Sequence, residues 1–171
     1  GVKEHFREVR FAEVGALFCP EVEEVNHVKE VKWSRLEAVV DSGAAESVAP
    51  SSMAPWLPTV PSEGSRRGQC YLSASGTKLE NKGEKRFDMV TAEGNWGQAT
   101  FQVAEVTRPL CSVTKFCDRG NRVVFEAEGG YIENYATGVK TKFARQSNVY
   151  VMEMYVEDSS GFARQGAGAI M

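Results

Sequence analysis

Histidine is scarce in this sequence, and the scarcity closes off several chemistries at once. Only His5 and His27 occur in 171 residues, and neither stands in a recognisable Ser or Cys triad context. Four cysteines, Cys19, Cys70, Cys111 and Cys117, make no paired Cys-x-x-Cys spacing. With so few nitrogen ligands they read as reduced, partly buried thiols, and neither a structural zinc site nor any other metal is expected. Basic clusters are also missing. The net charge is −3 and Arg66-Arg67 is the only adjacent arginine pair, which argues against direct nucleic-acid binding. No apolar run approaches the roughly 18–20 residues of a membrane span, so no membrane partner is expected. The opening Gly1-Val2-Lys3-Glu4-His5 is charged, without the apolar centre of a signal peptide and without an initiator Met. It suggests a cytoplasmic protein that is a piece of a longer polypeptide. There is no Gly-rich phosphate loop, no internal repeat and no cofactor motif. Ser112-Val113-Thr114-Lys115 matches S-x-x-K, but the partner motifs S-D-N and K-T-G are absent, so Lys115 reads as an exposed helix residue.

What is present describes a β-rich domain. The apolar fraction is 42%, with nine Phe for a core and sixteen Gly for turns. Strands are expected over residues 36–40, 68–73, 78–81, 85–91, 97–106 and 149–156, with a short strand or turn at 47–50. A further strand over 28–33, pairing with 35–40, is one reading of the early chain; a helix face through Val22, Val25, Val28 and Val31 is the other. Residues 51–56 look like a helical turn ended by Pro58 and Pro61. Residues 110–118 suggest one amphipathic helix closed by Gly120. Val123-Val124-Phe125 and Tyr131-Ile132-Glu133 suggest a hairpin turning at Gly129-Gly130. The expected organisation is a linker or N-terminal extension over 1–27, a domain over 28–157 and a flexible tail over 158–171.

The chemistry concentrates in Asp41-Ser42-Gly43-Ala44-Ala45, directly after the apolar run Leu36-Glu37-Ala38-Val39-Val40. This places a carboxylate on a tight turn at the end of a buried strand. Gly43 frees the backbone and keeps the carboxylate unobstructed. Ser42 offers a hydroxyl to brace the loop, and Ala44 is small enough to lie beside a substrate. Two carboxylates held about 3 Å apart cannot both ionise. One then serves as general base toward water and the other polarises a carbonyl. Only one copy of the motif occurs, so a complete pair needs a second identical chain.

The blocks around this loop resemble the retropepsin-like aspartic proteases of copia-type retrotransposon polyproteins. Leu36 to Ala44 is similar to the family's apolar strand and catalytic loop. Leu72-Ser73-Ala74-Ser75-Gly76-Thr77-Lys78-Leu79, followed by Gly83, is similar to its flap hairpin. Pro109 to Cys117, running into Asn121-Arg122-Val123-Val124-Phe125, resembles its late helix and strand. The resemblance covers roughly residues 33–135. It implies a mainly β, closed barrel-like acid protease fold of antiparallel strands with one short helix, working as a homodimer. It further implies Asp41 and its symmetry mate as the dyad, Ser73, Ala74, Ser75, Gly76 and Thr77 as the flap, and an extended peptide or polyprotein as substrate. One departure stands out: Leu110-Cys111-Ser112 occupies the place of the family's apolar-apolar-Gly element without the Gly. A second reading, a catalytically inactive dimerisation or peptide-binding module on the same fold, remains open at this point.

Overall fold

A computed structural model describes residues 31–159 of the chain. The expectations for the linker over 1–27, for residues 28–30 and for the tail from 160 onward lie outside the described residues.

The first strand, β1 (Lys32–Asp41), alternates in burial, with Ala38 and Val40 inward and Glu37 exposed, as a half-buried pleated strand must. It continues through β2 (Val48–Ala49) and the short helix α1 (Glu63–Arg66). A hairpin of β3 (Cys70–Leu72) and β4 (Lys78–Glu80) comes next, then a longer one of β5 (Glu84–Thr91) and β6 (Trp96–Val103). After these come β7 (Leu110–Ser112), α2 (Val113–Asp118), β8 (Asn121–Phe125), β9 (Gly129–Asn134), β10 (Lys140–Gln146) and β11 (Val149–Asp158). Among the described residues no helix is long and apolar enough to cross a membrane.

Nine strands form one sheet in the order β1-β7-β2-β6-β5-β11-β10-β9-β8, and a further β1–β11 pairing closes the first six into a barrel. The β1–β7 and β2–β6 pairings are parallel; the others are antiparallel. The last strand makes the closure. It runs against β1 from Lys32↔Asp158 to Val39↔Val151, and meets β5 at Met154↔Thr91 and Tyr155↔Val90. Full closure leaves the barrel itself without an open edge. Ala38, Val40, Ala49, Phe87, Phe101, Cys111, Met152, Met154 and Val156 share the core. Phe87 and Phe101 stack with ring centroids 5.9 Å apart. Burying side chains of this size stabilises the fold by about 1.5–3 kcal/mol each.

The mainly β, closed barrel-like expectation holds, but several local expectations do not. Residues 110–118 are not one helix: Leu110–Ser112 form β7 and only Val113–Asp118 are helical. Leu110 and Cys111 are taken up as parallel partners of Val39 and Val40, and tertiary pairing overrides the helical pattern. Residues 51–56 form turns instead of a helical turn, held by the Lys85 ammonium, which donates to the carbonyls of Ser51, Met53 and Ala54. Gly129 and Gly130 open β9 and do not make the turn. A Cβ on Gly130 would lie 2.0 Å from the Val124 carbonyl oxygen and 2.6 Å from the Phe143 ring, so packing demands this glycine. Among the described residues there are two short helices instead of one, and four strands follow the second. The strand expected over 97–106 ends at Val103, and that expected over 149–156 runs to Asp158. Residues 32 and 33 belong to the same continuous strand as Asp41, so they form no separate partner for 35–40.

Candidate functional site

Asp41 is the last residue of β1, delivered by the buried Ala38 and Val40. Its strand is fixed on one side by β7, where Val40 lies opposite Cys111 and Asp41 opposite Ser112. The Val39 N–H also donates to the Pro109 carbonyl at 2.9 Å. The Cys111 thiol beneath the loop is buried, which pushes its pKa up to about 12 and leaves it a neutral packing group.

The carboxylate is half-buried, and its Oδ1 accepts the Gly43 N–H at 2.7 Å. Gly43 does not occupy the left-handed region. Its need is for space: a Cβ there would stand 3.3 Å from that same Oδ1. Ser42 is exposed and makes no hydrogen bond to the described residues, so the brace expected of it comes from elsewhere.

That brace is Ser112, which is fully buried. Its hydroxyl donates to the Ala44 carbonyl at 2.7 Å, and its N–H donates to Ser47 Oγ at 3.0 Å. The Ser112 Oγ also lies 2.8 Å from Thr114 Oγ1 and accepts the Lys115 N–H as the N-cap of α2. One hydroxyl therefore ties the Asp41 loop to the start of the helix. Ser112 stands where the resemblance leads one to expect Gly, and its larger side chain is buried with its hydroxyl hydrogen-bonded. Lys115 is partly exposed and pairs with Glu46 at 2.9 Å.

The second half of the candidate site is the β3–β4 hairpin, a separate two-stranded sheet. Its turn is held by Ser73 N–H to the Thr77 carbonyl and Gly76 N–H to the Ser73 carbonyl, both 2.9 Å, and by Thr77 N–H to Ser73 Oγ at 3.0 Å. The Ser73 and Ser75 hydroxyls meet at 2.9 Å. Gly76 has φ +80, and a Cβ there would meet nothing within 4 Å, so this glycine is needed for its backbone conformation. Ala74, Ser75, Gly76 and Thr77 are all exposed. Leu72, in the adjoining strand, is 72% exposed, an apolar side chain offered to whatever the hairpin covers.

The hairpin is anchored at its root by Asn81, which is buried. Its backbone N–H donates to the Gln69 carbonyl at 3.0 Å. Its side-chain amide donates to Tyr71 Oη and Gln102 Oε1, each at 3.0 Å, and its Oδ1 accepts the Gly83 N–H at 2.9 Å. Burial, reinforced by the Glu46 carboxylate, pushes the Tyr71 phenol up to about 12, against the opposing hydrogen bond from Asn81. Glu46 is thus a common neighbour of the hairpin root, through Tyr71, and of α2, through Lys115. It also lines, with Gln69, Glu84, Arg86 and Gln102, a cavity of about 630 Å³ beside that root.

Ser112, Asn81 and Glu46 do not stand out in the sequence as site residues. Ser112 had a signal, a polar residue closing an apolar strand immediately before a helix; Asn81 and Glu46 had none. Among the described residues no group of three or more His, Cys, Asp or Glu is placed to hold a metal ion. No protein-family model, curated protein or solved structure gives a significant match to the chain.

Proposed function

We propose that this chain is an aspartic endopeptidase of the retropepsin-like, copia-type retrotransposon kind, active as a homodimer on an extended peptide or polyprotein. The observation that carries the reading is Asp41 itself. It is a carboxylate at the mouth of a closed barrel, its Oδ1 held by the Gly43 N–H and its loop braced by buried Ser112. Rigid support of that kind is what a catalytic group needs and an ordinary strand end does not. The exposed hairpin turn at residues 73–77, with Leu72 beside it, fits a flap that closes on a peptide lying as a strand.

In this mechanism the two Asp41 carboxylates of a dimer share one proton. The ionised member takes a proton from a bound water, whose oxygen bonds to the scissile carbonyl carbon. The protonated member donates to the carbonyl oxygen. The C–N bond then breaks and the leaving amine takes up a proton. Ser42, exposed and unbonded to the described residues of its own chain, is free to bond across the two loops.

The test is cleavage of the Asp41→Asn chain, used as substrate, by wild type beside a sample containing Asp41→Asn alone. Both are run with and without a transition-state-mimicking aspartic protease inhibitor. Specific fragments are expected from wild type only, suppressed by the inhibitor, with a bell-shaped pH profile because the dyad works with a single proton. A folded, dimeric wild type that cuts nothing would overturn the reading in favour of a non-catalytic dimerisation or peptide-binding module.

A further inference from the structure

The chain enters and leaves the barrel at one point, and that point is at the far end of β1 from Asp41. Lys32, the first residue of β1, is the register partner of Asp158, the last residue of β11. From Lys32 to Asp41 the strand takes nine residue steps, which at about 3.3 Å each is a separation of about 25–30 Å once barrel curvature is allowed for. In a two-fold dimer the dyad lies on the axis, so both subunits' exits stand equally far from it.

The exit is also pinned. Ser34 Oγ donates to Asp158 Oδ2 at 3.2 Å, and Trp56 Nε1 donates to the Glu157 carbonyl at 3.1 Å. Arg35 pairs with Glu153 across the same two strands, and its hydrogen bond and charge draw the Glu153 carboxyl below the usual range. Fraying either strand to shorten the distance would strip Val156 and Met154 from the core, where they are 2% and 1% exposed.

A polypeptide reaches at most about 3.3–3.6 Å per residue. Covering about 25–30 Å therefore takes at least about seven or eight fully extended residues. A bond such as Phe162-Ala163, four residues beyond Asp158, has a reach of only about 14 Å. Resting on the protease reading, we infer that peptide bonds within about seven residues of Lys32 or Asp158 are cut only by a different dimer, never by the dimer that carries them. Bonds about twelve or more residues away are open to the carrying dimer's own dyad. Release of the enzyme from immediately flanking polypeptide is then a bimolecular event and rises with local concentration, while distant junctions are processed first and independently of it. Each cleavage is the same hydrolysis: water adds across the C–N bond, giving a carboxylate and an amine.

The experiment joins a fluorescent protein to the full chain beyond Asp158. One junction sequence, mapped by mass spectrometry on the Asp41→Asn chain cut by wild type, is placed either four or twenty residues past Asp158. Rates are measured at concentrations where sedimentation finds only dimer. On tenfold dilution the rate constant of the four-residue fusion should fall about tenfold and that of the twenty-residue fusion should stay the same. A four-residue fusion whose rate constant ignores dilution overturns the inference. A chain that cuts neither fusion nor the free junction peptide overturns the protease reading instead.

Discussion

Replacing Ser112 with Ala removes a single oxygen, and the structure makes that oxygen responsible for two jobs. It donates to the Ala44 carbonyl at 2.7 Å and caps α2 through the Lys115 N–H. A hydrogen-bond partner left unpaired in a buried place costs about 1–3 kcal/mol. A lost Ser N-cap costs typically about 1 kcal/mol. Both bonds share one atom, so the two figures do not simply add, and a loss of about 2–3 kcal/mol is expected. With a urea m-value of about 1–3 kcal/mol/M, the unfolding midpoint should drop by roughly 0.7–3 M. Thr114→Val is the control, because among the described residues Thr114 Oγ1 meets only Ser112 Oγ; it should cost less than about 1 kcal/mol. Ser112→Gly restores the residue type the family resemblance leads one to expect, yet it should cost at least as much as Ala, since it loses the same oxygen and adds backbone freedom. The activity readout separates positioning from stability. Under conditions where the variant is folded, kcat/KM of Ser112→Ala should fall tenfold or more, because the Asp41 loop is no longer tied to the helix. A stability unchanged within about 0.5 kcal/mol, with full activity, would refute the claim that Ser112 braces the loop.

Two other perturbations bear on the supports of the site. Lys85→Met strips the Ser51 and Met53 carbonyls of the Lys85 ammonium, while the Ala54 carbonyl keeps the Leu57 N–H at 2.9 Å; thermal and urea unfolding should register a loss of about 2–4 kcal/mol, and unchanged stability would show the buried cation to be dispensable. The Tyr71 phenol, raised to about 12 by burial, is protonated in the folded protein at pH values where an unfolded tyrosine, near 10, has lost its proton. Its contribution is therefore complete below about pH 10 and lost as the pH climbs toward about 12, so wild-type stability should fall across that interval more steeply than that of Tyr71→Phe in pH-dependent urea titrations. Parallel curves for the two proteins would count against the half-buried, Asn81-bonded phenol.

Legibility in the sequence followed the range of the interactions involved. The Asp41 strand, the β3–β4 hairpin and the β5–β6 hairpin could be read because alternation and turn residues lie within a few positions of one another, as at Ser73 to Thr77 or at Gly94 with its φ of 90. β10 escaped because Lys140–Gln146 is mostly polar and only Phe143 is buried within it; a single inward side chain makes no pattern. Leu110-Cys111-Ser112 misled because three residues cannot distinguish a helix start from a strand, and their partner, β1, lies about seventy positions away. The candidate carboxylate was legible from its motif. Its real brace was not, since Ser112 and Ala44 are 68 residues apart and nothing local announces that one hydroxyl meets the other carbonyl. Ser42 and Gly43 illustrate the complementary point. The loop bracing expected of Ser42 is carried here by Ser112, and Gly43, within the turn, yields space to Oδ1.

β1 explains why the candidate site and the end of the domain form one cooperative unit. Asp41 is held in place only because β1 has neighbours on both sides, and neither neighbour is local. Val40 waits for Cys111 on β7, and Val39 waits for Val151 on β11. Met152, Met154 and Val156 of β11 then fill the same core that Ala38 and Val40 face. Without β11, β1 would keep its parallel partner but present an open edge over most of its length, with Ala38 and Val40 losing the side chains they pack against. Contacts of such long sequence separation form late and reward the chain only after most of it is ordered. A carboxylate loop built this way depends, through β1, on strand β11 as well as on β7. The geometry of Asp41 is thereby tied to completion of the barrel, and the chemistry proposed for it belongs to the finished fold and to no smaller part of it.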